Sequence, residues 1–281
     1  MNTLYTIEGT KNNDQNPIYN SLDHPDFQDK LSQFKETLVS CVSNKECKTF
    51  YKFGDGDYYF LKGQGVGSAS PGRRALSKNY SDIKHEEFVS GVTPNDYIGV
   101  ELYNRGLFSS LYPERSIDYN AEYGYGLTAN TWLTRTFGES IGVIGAGPKI
   151  DLIKELMYNE EYQEYLGLNK FTDYITIPQK FACDDIDETE RMVGEQLKNS
   201  SSSIFLLGVG HVKSALLHRM KKYTNSVFLD IGSGIDALAG IIDHNRPYMG
   251  DWLNYRVSNF DYDTLDILQY DIWNTPYKMI G

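Results

Sequence analysis

The first residues in this chain whose types and spacing suit chemistry are two carboxylates around a glycine, in Gly54-Asp55-Gly56-Asp57. They follow Thr49-Phe-Tyr-Lys-Phe53, a β-branched and aromatic run with the composition of a strand. Carboxylates at i and i+2 converge on one hard cation where a glycine between them lets the loop turn tightly. A divalent ion held by two protein carboxylates keeps positions open for substrate phosphates and water. The same Asp-Gly pair between two strand-like runs is also a hairpin signature. Both readings stand at this point.

A second candidate follows directly. Gly63-Gln-Gly-Val-Gly-Ser-Ala-Ser-Pro-Gly72 is rich in glycine and hydroxyls and ends on Arg73 and Arg74 at a helix start. Such a loop either cradles phosphates or is simply exposed. Further on, Asp184, Asp185, Asp187 and Glu188 head a helical stretch. Acids are favoured there by the helix dipole, so capping is preferred to metal binding.

These groups need a scaffold, and the composition bounds it. The chain has 281 residues, 40% of them hydrophobic, enough for one large α/β domain or two small ones. Its net charge of −11 argues against general nucleic-acid binding, which needs a basic surface. No apolar run reaches about 18 residues, so no spanning helix is expected. The polar start MNTLYTIEGTKNNDQ does not read as a secretory signal. Cys41, Cys47 and Cys183 are odd in number and lack metal-type spacing, which fits a reducing compartment. A cytoplasmic protein is expected, with homo-oligomerisation left open.

Residues 1–22 read as a polar N-terminal arm, and residues 23–281 as a single α/β domain whose last part, 240–281, is a site-lining extension. Phe27, Leu31, Phe34, Leu38 and Val42 recur at helical spacing. Asp96 to Tyr103 predicts a buried strand, and the tyrosine-rich stretch from Asn104 to Gly138 a long connection of the lid or binding-loop kind. From Ser140 the chain alternates: SIGVIGAG strand, PKIDLIKELMY helix, YITIP strand, Asp184–Lys198 helix, SIFLLGVG strand, HVKSALLHRMKKY helix, SVFLDIGSG strand. That pattern predicts a doubly wound, Rossmann-like, mostly parallel sheet with helices on both faces and ligands at the strand C-termini.

Two strand ends imitate cofactor motifs. Gly142-Val-Ile-Gly145-Ala-Gly147 resembles a dinucleotide fingerprint, but Ile150 stands where its third glycine belongs. Asp230-Ile-Gly-Ser-Gly234 resembles an S-adenosylmethionine motif, yet only the last fifth of the chain follows it.

Three stretches together carry a further resemblance. Phe53-Gly-Asp-Gly-Asp57 resembles the FGDGE signature of the GT-D-type glycosyltransferases. Ile177-Pro-Gln-Lys-Phe-Ala182 followed by Phe205-Leu-Leu-Gly-Val-Gly-His-Val-Lys213, and the closing Asp230-Ile-Gly-Ser-Gly-Ile-Asp236, are similar to that family's C-terminal half. The chain departs from the pattern with Asp57 in place of glutamate, Lys52 in place of arginine, and Ser233-Gly234 where the family has histidine. The resemblance implies transfer of a sugar from a nucleoside-diphosphate donor, UDP-sugars first, to a glycan or glycoprotein acceptor. It implies Mn²⁺ or Mg²⁺ on Asp55 and Asp57. Lys52, Gly54, Gly56, Arg73, Arg74, Gly210, His211 and Lys213 would serve the donor phosphates. Asp236 is the first candidate base, with Asp251 and Asp243 in reserve. A methyltransferase, or a sugar-nucleotide-binding protein without catalysis, is the alternative.

Overall fold

The computed structural model describes residues 26–63, 83–241, 255–262 and 278–280. Arg73, Arg74, Asp243, Asp251 and the 1–22 arm lie outside them. β1 (Thr49–Phe53), β2 (Tyr97–Val100), β3 (Tyr119–Asn120), β4 (Ile141–Ala146), β5 (Asp173–Ile177), β6 (Ile204–Gly208) and β7 (Val227–Asp230) build one sheet. Its order is β3-β2-β1-β7-β6-β4-β5, and every neighbouring pair is parallel.

A parallel sheet is apolar on both faces, and these strands are. Phe50, Val143, Leu206 and Leu229 point into one core cluster. Tyr51, Phe53, Ile144, Phe205, Leu207 and Phe228 point into the other. The first face is covered by α1 (Phe27–Ser43), α5 (Glu122–Ala129), α6 (Trp132–Phe137), α7 (Gly147–Leu156), α8 (Glu160–Leu166) and α11 (Gly234–Leu238). The second is covered by α2 (Asp55–Leu61), α3 (His85–Ser90), α4 (Arg105–Leu111), α9 (Ile186–Leu197) and α10 (Lys213–Leu216). Moves from β1 towards β3, and from β5 back to β7, use helices of the second face. Moves from β3 to β4 and from β4 to β5 use the first. One hand of crossover requires this segregation, and the doubly wound sheet expected from the alternation is the result.

Several local expectations change. There is no hairpin after β1, because both its neighbours run parallel to it and Asp55 opens α2. The stretch 104–138 is not a long connection: it folds into α4, β3, α5 and α6. Its tyrosines are needed inside, with Tyr119 stacked on Phe34 at 4.7 Å and Tyr123 edge-on to Phe27 at 5.1 Å. The expected helix after β6 is a 3₁₀ turn (Gly210–Val212), the four residues of α10, and a second 3₁₀ segment (Leu217–Lys222). All four residues of α10, Lys213 and Ser214 included, are buried. Asp185 caps α9 by accepting the Glu188 N–H at 2.9 Å, as the acid-rich start predicts.

The described part of the C-terminal extension packs on the first face. β8 (Tyr255–Val257) pairs with β9 (Lys278–Ile280), and Tyr255, Val257 and Tyr262 join the first-face core. Gly240, at φ +81°, lies beneath it, and a Cβ there would come within 2.2 Å of the Tyr255 carbonyl.

Candidate active site at the carboxyl ends of β1, β6 and β7

Three strands end side by side at the carboxyl edge of the sheet, where open α/β folds bind ligands. β1 stops at Gly54, whose extended backbone hands over to α2. Asp57, third residue of that helix, turns back and accepts the Gly54 N–H at 2.9 Å. This is the carboxylate half of a capping box, and it fixes where Asp57 points. Asp55 opens the same helix. Residues two apart on a helix do not face each other, so Asp57 goes inward with its side chain 5% exposed while Asp55 stays outside. Asp55 Oδ1 accepts only its neighbour's N–H, Gly56, at 2.7 Å among the described residues.

Opposite Asp57 stands the ammonium of Lys213, from the helix after β6. It lies 3.2 Å from Asp57 Oδ2 and 2.8 Å from Asp230 Oδ2, and donates to the Lys52 carbonyl. Two ion pairs and one hydrogen bond thus hold the ammonium, over the face of Tyr51 at 4.9 Å. Asp230, at the end of β7, also accepts the Gly232 N–H at 2.8 Å and the Lys52 N–H at 3.3 Å. It is a buried tie between β7, β1 and Lys213, with its side chain 1% exposed, and presents no carboxylate to a cofactor ribose. Burial alone would push the Asp57 carboxyl up. Lys213, His211 and Lys52 outweigh it and hold that carboxyl well below the usual range.

His211 completes the group. Its Nδ1 is 3.3 Å from Asp57 Oδ1, and its ring lies parallel to Phe60, 4.7 Å away with 10° between planes. The preceding Gly210 has φ +61°, a conformation suited to glycine, and a Cβ there would meet nothing within 4 Å.

Across Gly54 lies a second cluster that no sequence motif announced. Lys52 Nζ pairs with Glu101 Oε1 at 3.1 Å, and a Cβ on Gly54 would come within 3.1–3.2 Å of both atoms. Glu101 follows β2. Glu122 follows β3 and accepts the Leu102 N–H at 2.7 Å through Oε1. Its Oε2 is buried with no hydrogen-bond partner among the described residues. Burial pushes this carboxyl up to about 7, with Glu101 adding to the rise and the Leu102 N–H and Lys52 opposing it. Glu101 and Glu122 are what motif reading missed, and Asp230, which two motifs contain, was given no place in the site. The signal available was an acid directly after a buried strand.

Lys52, Gly54, Asp57, Gly210, His211 and Lys213 are therefore brought together. Asp236 is not part of the group: it stands in the first turn of α11, paired with Lys149 of α7. Asp55 and Asp57, the pair expected to share a divalent ion, lie on different sides of α2, one exposed and one buried. Asp57 is committed to Lys213, His211 and the Gly54 N–H, and no cluster of three metal-ligating side chains exists among the described residues. Asp55 alone fits the mode in which one carboxylate, phosphate oxygens and water share a divalent ion. Of the glycines in Gly142-Val-Ile-Gly145-Ala-Gly147, the first two lie inside β4. A Cβ at Gly142 would enter the Phe205 ring at 2.3 Å, so that glycine serves strand packing.

Fold and site together define an α/β protein with a doubly wound parallel sheet and a charged cluster at its carboxyl edge. No family model and no curated protein matches the chain. Two solved structures are similar to it. One is a selenomethionine-substituted domain of unknown function 1792, at TM-score 0.48 and 12% identity over 73% of this chain and 78% of that one. The other is described as a new glycosyltransferase of the same domain from Streptococcus sanguinis, at TM-score 0.42 and 11% identity over 72% and 81%. No described helix is long and apolar enough to cross a membrane.

Proposed function

We propose that this protein is a glycosyltransferase that moves a sugar from a nucleoside-diphosphate donor, a UDP-sugar first, to a glycan or glycoprotein hydroxyl. One observation carries the reading. The stretches with the motif resemblance meet at one place, Asp57 touching His211 across 154 residues of sequence and Lys213 joining Asp57 to Asp230. Chance likeness in three short motifs gives no reason for them to converge at the ligand-binding edge of the sheet.

In this reading the sugar nucleotide lies over the ends of β1 and β6. The 3₁₀ turn at Gly210 offers backbone N–H groups to it, and the His211 ring forms one wall. Lys213 is buried between Asp57 and Asp230 and ion-paired with both, so it organises those acids rather than gripping phosphate. Asp55 would hold a Mn²⁺ or Mg²⁺ ion shared with the diphosphate. Bound there, the ion supplies Lewis-acid neutralisation of the leaving group, an effect of several kcal/mol.

The test is direct. The full chain is titrated with UDP, GDP and dTDP, with Mn²⁺ and with EDTA, and UDP release is followed from UDP-glucose, UDP-galactose and UDP-N-acetylglucosamine. Binding of one nucleotide together with release from one donor is expected. A chain that binds none of the three nucleotides under either condition is not this enzyme.

A further inference from the structure

Glycosyl transfer to a hydroxyl needs a group that removes the hydroxyl proton. Asp236, the carboxylate the sequence suggests for this, is paired with Lys149. We propose that His211, oriented by Asp57, is that base. The inference rests on the glycosyl-transfer reading above.

The geometry is that of an imidazole fixed on one edge and open on the other. Asp57 is buried and faces Nδ1 at 3.3 Å. Its second oxygen is pinned by the Gly54 N–H at 2.9 Å and by Lys213 at 3.2 Å, which fixes the carboxylate towards the ring. A carboxylate so placed selects the tautomer with the proton on Nδ1 and leaves the Nε2 lone pair free. The parallel Phe60 ring stops the imidazole from turning. The His211 side chain is 18% exposed against 5% for Asp57, so the imidazole reaches further towards solvent than the carboxylate that holds its Nδ1. A Cβ on the adjacent Gly210 would meet nothing within 4 Å among the described residues beyond its chain neighbours.

The step balances without a further reactant. The acceptor O–H bond breaks and its proton goes to His211 Nε2. The freed oxygen pair forms the new bond to the anomeric carbon. The bond from that carbon to the diphosphate breaks, the diphosphate leaving with the electron pair. Asp57 stabilises the imidazolium until its proton passes to solvent.

The experiment uses the full chain, with water as acceptor and the UDP-sugar panel as probe, beside His211→Asn, His211→Ala and Asp57→Asn. His211→Asn keeps a donor towards Asp57 but has no nitrogen where Nε2 lies. Its turnover is expected to fall 10²- to 10⁴-fold, the usual contribution of a general base, with UDP affinity within about twofold. Added imidazole should restore part of the turnover of His211→Ala, which a structural role would not allow. Nitrogen-15 NMR of the histidines should show His211 with the proton on Nδ1, a preference lost in Asp57→Asn. Unchanged turnover in His211→Asn overturns the proposal. So does a loss of UDP affinity at constant turnover, which would make His211 a phosphate ligand, or a proton found on Nε2. Failure of the parent reading looks different: wild type then binds no nucleotide and releases no UDP, and the base falls with it.

Discussion

Two lysine-centred clusters stand on either side of Gly54, built from nearly the same residue types and left in different states. Lys213 sits between Asp57 and Asp230; Lys52 sits beside Glu101, with Glu122 behind. In the first, the ammonium ion-pairs with both acids and donates to a backbone carbonyl, and both acids also accept backbone N–H bonds. In the second, Glu122 has one N–H bond and one orphaned oxygen. Burial is severe in both, so the number of compensating partners decides. Asp57 is held ionised, whereas Glu122 is raised to about 7. The lesson is that a buried acid's charge at neutral pH follows from its hydrogen bonds and nearest cation more than from its depth.

The harshest way to break the comparison is to remove the Lys213 ammonium. Lys213→Met keeps the volume and strips the cation from two buried carboxylates. Breaking a buried pair in this way costs about 3–5 kcal/mol, and two acids share this one partner. Urea denaturation at neutral pH should show a loss of that size. A loss below about 1 kcal/mol would mean that His211 or water replaces the ammonium, and the two clusters would not differ in kind.

The second test uses opposite signs of pH dependence. Glu122 is raised from 4.5 to about 7, so the folded state holds its proton more tightly than the unfolded chain. The stability it contributes is full below about 4.5 and is lost as pH climbs through about 7. Two to three pKa units correspond to about 3 kcal/mol as an upper figure. Asp57 runs the other way: its depressed carboxyl contributes stability above the ordinary carboxylate range, lost only in strong acid. Between pH 5 and pH 8, then, Glu122 titrates while Asp57 does not. Glu122→Gln, which cannot ionise, should flatten the fall in stability across that interval. Parallel stability curves for wild type and Glu122→Gln would place Glu122 with Asp57 as a permanently charged acid.

How much of this was readable in the chain follows from where the information lies. The helical stripe Phe27, Leu31, Phe34, Leu38 is α1, and the acids before Ile186 cap α9, because period and capping are local. The Asp-Gly-Asp pair was legible as chemistry, yet its spacing gave both acids one role, since only the helical phase of α2 sends one in and one out. Glu101 and Glu122 carry no motif. They meet because β2 and β3 lie beside β1, and that adjacency is a property of strand order. Asp236 was placed by likeness to a closing motif, while its partner Lys149 comes from another crossover, 87 residues away. Pairings across crossovers are what a linear reading has no means to supply.

The mildest change separates Asp55 from Asp57, and it bears on the metal. Asp55 is exposed, accepts one local N–H, and touches neither lysine cluster among the described residues. Asp55→Asn should therefore leave stability within roughly half a kcal/mol, the ordinary range for surface substitutions. Asp57→Asn leaves a buried ammonium short of a charge partner, and should destabilise by about 1–3 kcal/mol, the cost of a disrupted buried polar group. Metal dependence should sort in the reverse order. If a divalent ion rests on Asp55 and the donor diphosphate, Asp55→Asn loses the Mn²⁺-dependent part of UDP affinity while melting like wild type. Asp57→Asn melts early, and its remaining folded fraction still responds to Mn²⁺. Titrations of UDP into the three proteins, with Mn²⁺ and with EDTA, read both effects at one temperature. Equal sensitivity of metal response in the two variants would restore the paired chelate and require α2 to unwind on binding. A wild type indifferent to EDTA would leave Asp55 as a surface residue, and the charge of the leaving group to the protein's own donors.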